Sequence, residues 1–410
     1  MSKKFKLALH WQILLGVCLG IVFGIFFHEY TQYTKWLGDL FLRGLQMVVI
    51  PLVFSALVMG VSSIGESTDL GRIAGKTFAY YFTTTLIACI LGLFLVTLFK
   101  PGTGLDLQFR ESVTSVAATE VSFADQLISI VPDNIIKAMA EGKMLPVIFF
   151  AILFGYFITV SADKTRIRLT DLFNDIYEVM IKITFLVIRF APLGLFGVAS
   201  GMIGKQAGNP DALASLFGSL GIYAAIIAGG CIIQGLGILP AIYLFFTRKN
   251  PFRFMKQMGT GLTTAVFTAS SAASLPITLR DIQEKTWVSR KIAGFCLPLG
   301  NTVNMNGTAL FECVTAIFIA QVYGIELTLG EQIIIILTSL LAAVGSAGIP
   351  LAGLVMLAVV LNAVGLPLEG IGLVLVVQQP LDMIRTGVNV WGDLTGAVIV
   401  AKSEGENLNI

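Results

Sequence analysis

Six apolar runs, at about 9–28, 38–62, 78–99, 144–161, 173–200 and 219–247, approach or exceed the ~20 residues that a helix needs to cross a bilayer. A segment inside hydrocarbon must satisfy every backbone N–H and C=O internally, so such runs fold as helices packed on one another. Charged residues make up 13% of the 410 and hydrophobic ones 56%, whereas roughly a quarter of a soluble domain is charged. The chain is therefore read as an all-α polytopic membrane protein. The basic stretch Met1–Lys6 ahead of Trp11–Phe27 has the form of a signal-peptide start. His28-Glu29-Tyr30 follows where a small-residue cleavage site would stand, so this run is read as a first span.

Lysines and arginines orient the spans. Lys3, Lys4 and Lys6, then Arg72 and Lys76, then Lys164, Arg166 and Arg168, then Arg248, Lys249, Arg253 and Lys256 fall on one side, the cytoplasm, if the spans alternate. After residue 250 the alternation breaks. Segment 251–283 has basic residues at both ends, and between them Gly259–Thr278 is rich in Thr, Ser, Ala and Gly and contains Pro276. Such a backbone does not suit a lipid-facing span and reads as a re-entrant hairpin with the serine pair Ser270-Ser271 at its tip. Span seven, about 292–322, is expected to be interrupted at Pro298-Leu299-Gly300-Asn301 and at Asn304–Thr308. Segment 331–365, broken by Gly345–Pro350 and lacking basic flanks, reads as a second hairpin entering from the other side. A last helix, about 370–401, exits at Lys402. The alternative, a surface helix at 251–283 and one kinked span at 331–365, would leave Lys402 outside. The expectation is eight transmembrane helices plus two re-entrant hairpins. Hairpin-plus-helix occurs twice in opposite orientation, the inverted-repeat pattern of secondary transporters.

The last helix carries Asp382, Arg385, Thr386, Asn389 and Asp393 at i, i+3, i+4, i+7 and i+11, which is one helix face. A charge at the bilayer centre costs roughly 2.5–3.5 kcal/mol on insertion scales. Three on one stripe point to a polar cavity. Arg43, Lys182 and Arg189 lie in or near other spans and read as side chains that snorkel to the interface. All five cysteines (Cys18, Cys89, Cys231, Cys296, Cys313) lie in apolar runs without metal-ligand spacing, and the two histidines, His10 and His28, flank the first span. Neither a metal cluster nor His-based catalysis is expected, and no nucleic-acid partner. An intramembrane protease is disfavoured because the aspartates lack a G-x-G-D motif.

Four ordered motifs carry a resemblance that covers essentially the whole chain: Ala269-Ser270-Ser271-Ala272-Ala273-Ser274-Leu275-Pro276, Asn304-Met305-Asn306-Gly307-Thr308, Gly348-Ile349-Pro350-Leu351-Ala352-Gly353, and Asp382 to Asp393. In these the chain resembles the dicarboxylate/amino acid:cation symporters, the glutamate transporter family. The resemblance implies an elevator-type homotrimer in the cell inner (plasma) membrane, with both termini cytoplasmic and surrounding lipids as contacts. Residues 1–77 and 101–205 would form a scaffold. Residues 78–100 and 206–410 would form the moving transport domain.

The resemblance also implies roles. Arg385 would bind the substrate's side-chain carboxylate, a task suited to a planar guanidinium. Asp382 would take its amino group, Asn389 and Ser271 its α-carboxylate, with Ser270, Thr308, Ile349, Gly353 and Thr386 lining the pocket. Asp393 with Gly300, Asn304 and Asn389 would hold one sodium. Thr302, Met305, Ala343, Val344 and Ser346 would hold a second. Oxygen ligands at broken helix ends suit a hard cation.

Departures from the family pattern matter as much. At the third sodium position stand Tyr81, Thr84, Thr85, Asn304 and Asn306, and Asn306 replaces the motif's carboxylate, so that site is expected to be degraded. An acidic position one turn before Asp382 is Gln378, and the family's extra arginine is missing, with Ala269 and Met383 at its usual places. Glu312, within Thr308-Ala309-Leu310-Phe311-Glu312, matches the proton-coupled animal members and reads as a proton site. The expected function is cation-coupled import of glutamate, aspartate or C4-dicarboxylates. Na+ is the expected coupled ion, with fewer than three per cycle, and H+ would pass through Glu312. A purely proton-coupled carrier and an anion-conducting, channel-like relative are the alternatives.

Overall fold

The computed structural model describes residues 9–62, 68–105, 128, 131–204, 210–345 and 352–410, which form helices and connecting turns with no strand among them. In chain order these are α1 (Leu9–Phe26), a 3-10 turn over His28–Tyr33, α2 (Lys35–Ser62), α3 (Thr68–Phe99), a short α4 (Ile135–Ala140) and α5 (Met144–Thr159). Next come α6 (Asp163–Arg189), α7 (Ala191–Gly204) and α8 (Pro210–Ile232), which passes through a π turn (Ile233–Ile238) into α9 (Leu239–Thr247). Then follow α10 (Pro251–Gln257), α11 (Gly259–Thr268), α12 (Ser271–Thr286), α13 (Arg290–Val303), α14 (Asn306–Tyr323), α15 (Leu329–Gly345), α16 (Ala352–Ala363) and α17 (Ile371–Ser403).

Four helical stretches, Lys35–Ser62, Arg72–Phe99, Asp211–Thr247 and Arg290–Tyr323, are long and apolar enough to cross a membrane. The bent pair α6–α7 would make a fifth among the described residues, and α1, α5, α15 and α16 carry shorter apolar stretches. Packing follows small residues. A Cβ at Gly20 would stand 2.7 Å from the carbonyl oxygen of Phe196, and one at Gly24 2.9 Å from that of Ser200, so glycine lets α1 run against α7. α2 lies along α5, α6 and α7, whereas α3 lies against α14. α14 is the centre of the molecule: every residue from Asn306 to Ala320 is buried, and α3, α8, α15, α16 and α17 surround it.

Several expectations change in detail. Pro298-Leu299-Gly300-Asn301 does not interrupt span seven; α13 continues through Pro298 to Val303 and the break falls at Asn304-Met305. A proline inside a helix removes the bond to the carbonyl four residues back, here that of Gly294, and crowds that carbonyl, yet α13 carries on past it. Here the Cys296 carbonyl also accepts a hydrogen bond from the Tyr81 hydroxyl at 2.8 Å. The fifth apolar run is not one straight helix: α6 and α7 meet at an angle of 52°. The first hairpin is three helices, and its second arm runs on to Thr286. Its turn is made by Ala269, which takes a left-handed φ of 49°, and by Ser270, whose Oγ accepts from the Ala273 N–H at 3.3 Å to cap α12. The tip of the second hairpin, with Ser346 and Ile349, lies outside the described residues.

A short strap follows α17. Glu404 accepts from Arg72 Nη2 and from Lys76 Nζ, both at 2.6 Å, tying the start of α3 to the end of α17. Glu406 accepts from the Ser289 N–H at 2.9 Å, and Asn409 donates its N–H to the Thr286 carbonyl at 3.0 Å. The hydrogen bonds from Arg72 and Lys76 hold the Glu404 carboxyl at about 2, below the usual carboxylate range. A carboxylate depressed in the folded state favours folding above its unfolded value and loses that contribution only as pH falls through its folded value. The protection of amides 404–410, exchange measured relative to its intrinsic rate at each pH, is therefore expected to be high and unchanged from pH 8 down to about 4.5, near the unperturbed glutamate value. Glu404→Gln should lower it throughout that range; equal protection in both proteins would show that the ion pairs do not hold the strap.

Candidate solute and cation site

The polar stripe of α17 faces the break between α13 and α14. Two helices that stop and restart leave backbone groups without intrahelical partners, and here side chains of α17 serve them. Asn389 Oδ1 accepts from the Gly307 N–H at 2.7 Å, and Asn389 Nδ2 donates to Thr308 Oγ1 at 3.1 Å and to the Met305 sulfur at 3.2 Å. Gly307 permits this closeness, since a Cβ there would stand 2.7 Å from the Arg385 carbonyl oxygen.

Arg385 has no solvent exposure. Its Nη2 donates to Asp382 Oδ1 at 2.6 Å, and its guanidinium carbon lies 3.8 Å from the centroid of the Phe311 ring. A cation over an aromatic face gains electrostatic attraction, more when desolvated. Nε and Nη1 make no hydrogen bond among the described residues. A Cβ on Gly353 would stand 3.3 Å from Nη1 and 3.2 Å from the Thr308 methyl, so a glycine keeps that edge of the guanidinium open. Thr386 donates to the Asp382 carbonyl at 2.8 Å. Ser271 is buried as the first residue of α12, and its carbonyl accepts from Ser274 Oγ at 2.9 Å. Asp382, Arg385, Thr386, Asn389, Thr308 and Gly353 are thus brought into one neighbourhood.

Asp393 is 5% exposed and makes no salt bridge among the described residues. Its Oδ1 accepts from Asn304 Nδ2 at 2.8 Å, and the Cα of Gly300 packs directly against the carboxylate and the Tyr81 hydroxyl. A buried carboxylate with no protein cation beside it needs one from elsewhere. Gly300, Asn304 and Asp393 therefore fit a monovalent ion. For the second cation set, Thr302 donates to the Leu299 carbonyl at 3.0 Å, Met305 is the residue before α14, and Ala343 and Val344 lie in the last turn of α15.

At the third set, Thr85 Oγ1 donates to Asn306 Oδ1 at 2.9 Å, and Thr84 Oγ1 donates to the Tyr80 carbonyl at 2.9 Å and reaches Asn304 Oδ1 at 3.5 Å. Tyr81 turns its hydroxyl to Cys296. Thr85 and Asn306 engage each other, whereas the Thr84 and Tyr81 hydroxyls are engaged chiefly by backbone carbonyls. Glu312 is fully buried on α14, and neither carboxyl oxygen has a hydrogen-bond partner among the described residues.

Three features of this neighbourhood are absent from the sequence reading. Phe311 follows Thr308 by three residues, a spacing that would have put both on one face. Gln234 sits in the π turn and donates to the Thr84 carbonyl at 3.1 Å. Gln379 is buried beside Gln378, and their amide atoms lack partners among the described residues. Each is polar or aromatic within an apolar run, and only the two glutamines stood out there by type.

Buried charges converging on broken helices inside an apolar bundle are the parts of a secondary transporter. Comparison with known proteins gives the same class: residues 9–403 match the sodium:dicarboxylate symporter family, and the chain belongs to it. It is similar to excitatory amino acid transporter 3 of Mus musculus, 34% identical over 453 residues that cover 96% of this chain and 85% of that protein. It is equally similar to the proton/glutamate-aspartate symporter of Escherichia coli strain K12, 34% identical over 423 residues covering 98% and 94%. The proton/sodium-glutamate symport protein of Geobacillus stearothermophilus is 33% identical over 416 residues covering 98% and 96%. The protein is a transporter and not an enzyme.

Proposed function

We propose that this protein imports glutamate or aspartate across the plasma membrane, coupled to sodium with fewer than three ions and to a proton through Glu312. The observation that carries the reading is Arg385: a fully buried guanidinium with unfilled donors at an edge kept open by Gly353. An acidic side chain satisfies those donors with two parallel hydrogen bonds. Asp382 then receives the substrate's ammonium group, while Asn389 and the tip of the first hairpin, Ser270 and Ser271, hold its α-carboxylate, and Thr386 and Ile349 complete the pocket. A C4-dicarboxylate brings no ammonium group to Asp382 and would have to share Arg385 with it, which disfavours it. The names of the bacterial relatives, glutamate symporters of protons or of protons and sodium, support both substrate and ions.

The architecture that goes with this function is eight spans and two oppositely directed hairpins in an elevator-type homotrimer, with both termini cytoplasmic. Residues 1–77 and 101–205 serve as scaffold, and residues 78–100 and 206–410 as the moving body. The packing of α1 and α2 on α5–α7, and of α3 on α14, supports that division. Uptake into liposomes under separately imposed Na+ and H+ gradients tests the coupling. Counterflow of labelled against unlabelled substrate distinguishes a carrier from an anion-conducting channel. Glu312 favours a purely proton-coupled carrier as the second reading, and Asp393 weighs against it because, unlike Glu312, it stands beside Asn304 and the Tyr81 hydroxyl, oxygen-bearing neighbours that suit a hard cation.

The cation count rests on Asn306. A carboxylate ~4 Å from a sodium ion is worth about 4 kcal/mol at an effective dielectric near 20. An amide supplies an oxygen without that attraction, and Asn306 Oδ1 is already occupied by Thr85. The reversal potential of transport current is expected to give fewer than three sodium ions per substrate, and Asn306→Asp should add one. A ratio of three with Asn306 in place would refute the argument.

A further inference from the structure

The close packing of α1 on α7 ends abruptly toward the start of α1. Gly20 and Gly24 approach the α7 backbone, and Gly16 meets Pro192. One turn further on, α6 and α7 meet at their 52° bend, and α6 leaves α1 there. The two helices diverge and open a groove of about 580 Å³ lined by Leu9, Gln12, Lys182, Phe185, Leu186 and Arg189.

The lining has two chemistries. Lys182 and Arg189 are seven residues apart, two turns on one face of α6 and about 10 Å along it. Between them Phe185 and Leu186 are 45% and 58% exposed, an apolar floor. Of the acids on α6, Glu178 holds Lys182 at 2.7 Å, while Asp171 and Asp175 lie further toward the helix start. Arg189 has no carboxylate within ion-pair distance among the described residues. Its place in the last turn of α6 suits the helix dipole, but that leaves its charge, with that of Lys182, in a groove floored by Leu9, Phe185 and Leu186. The neighbouring Trp11 is 54% exposed, as expected of an indole at the headgroup level. In sequence the groove's Leu9 directly follows the basic segment Lys3, Lys4 and Lys6, which draws anionic lipid.

We propose that this groove binds one anionic phospholipid per subunit. Its phosphate would sit between Arg189 and Lys182 with Gln12 at its side, and an acyl chain would lie over Phe185 and Leu186. The site is separate from the solute pocket. It rests on the helices spanning a bilayer but not on which solute or ion is carried. Charge and apolar area together select the ligand: a free phosphate would gain nothing from Phe185 and Leu186, and a zwitterionic lipid brings its own cation to a groove already lined by two.

The test is native mass spectrometry of the purified protein after detergent exchange with equal amounts of phosphatidylglycerol and phosphatidylcholine. The wild type is expected to retain phosphatidylglycerol in excess. The Lys182→Gln/Arg189→Gln variant, altered only at exposed positions, should lose that excess at least fivefold. The charge-keeping Lys182→Arg/Arg189→Lys variant should retain it, and millimolar glycerol phosphate should not displace it. Equal retention of the two lipids by wild type, or an undiminished excess in the glutamine variant, overturns the proposal. Full displacement by glycerol phosphate overturns it as well, since the ligand would then be the free phosphate. Retention is read without transport, so a failure of the transport reading leaves this result interpretable.

Discussion

Arg385→Cys is expected to abolish uptake of glutamate and aspartate and to leave a protein that takes up neutral amino acids. The guanidinium has no solvent exposure, and it contacts Asp382 and the Phe311 ring. A buried substrate carboxylate left without its cationic partner costs about 3–5 kcal/mol, which is a fall of roughly two to four orders of magnitude in kcat/KM for the acidic substrate. Asp382 remains and still needs a cation, and the ammonium group of any α-amino acid can supply it. The volume vacated by arginine admits a small neutral side chain where a carboxylate was bound. Uptake of labelled serine and aspartate by both proteins in liposomes checks this. If wild type carries serine as well as it carries aspartate, the role given to Arg385 is wrong.

The stripe that holds Arg385 was legible because hydrocarbon makes every charge expensive. Asp382, Arg385 and Asp393 could share a face only if that face met polar groups, and the α13–α14 break supplies them through Asn304, Gly307 and Thr308. The break itself was legible at Asn304–Thr308, where polar residues and glycine interrupt an apolar run. The proline at Pro298 does not end the helix, because a proline marks one lost N–H and an apolar helix buried on its neighbours carries on past it to Val303. The bend between α6 and α7 was hidden for a similar reason. Pro192 stands in the first turn of α7, where proline is at ease, and nothing local fixes the direction in which the preceding helix leaves. Phe311 was invisible because an aromatic residue in an apolar helix carries no contrast, although its ring is what Arg385 lies on. The π turn around Gln234 likewise has no signature in Ile233–Ile238.

Glu312→Gln is expected to abolish the pH dependence of net uptake while leaving exchange of internal for external substrate within about twofold. Glu312 lies four residues past Thr308 on the same helix face. It is fully buried, and neither of its oxygens has a hydrogen-bond partner among the described residues. A carboxylate anion so placed costs several kcal/mol more than the neutral acid. Phe311, the adjacent residue, packs on Arg385. While an acidic substrate occupies the guanidinium, Glu312 gains nothing from ionising. On the proposed cycle, departure of the acid removes its net negative charge from beside Arg385, which keeps Asp382 as partner, and so favours a Glu312 anion in the low-dielectric interior. In that cycle the carboxyl is neutral with substrate bound and ionised in the returning, empty carrier, so that each turn moves a proton with the acid. Glutamine keeps the volume and polarity of the neutral form but cannot release a proton. The substrate-bound carrier works normally in exchange, and the empty carrier, which cannot form that anion, returns at least about tenfold more slowly, a barrier increase of roughly 1.4 kcal/mol. Proteoliposome uptake at pH 6 and pH 8, compared with counterflow at both values, reads the two steps separately. A Glu312→Gln protein whose net uptake still responds to pH like wild type would show that this side chain is structural and that cations other than protons drive the cycle.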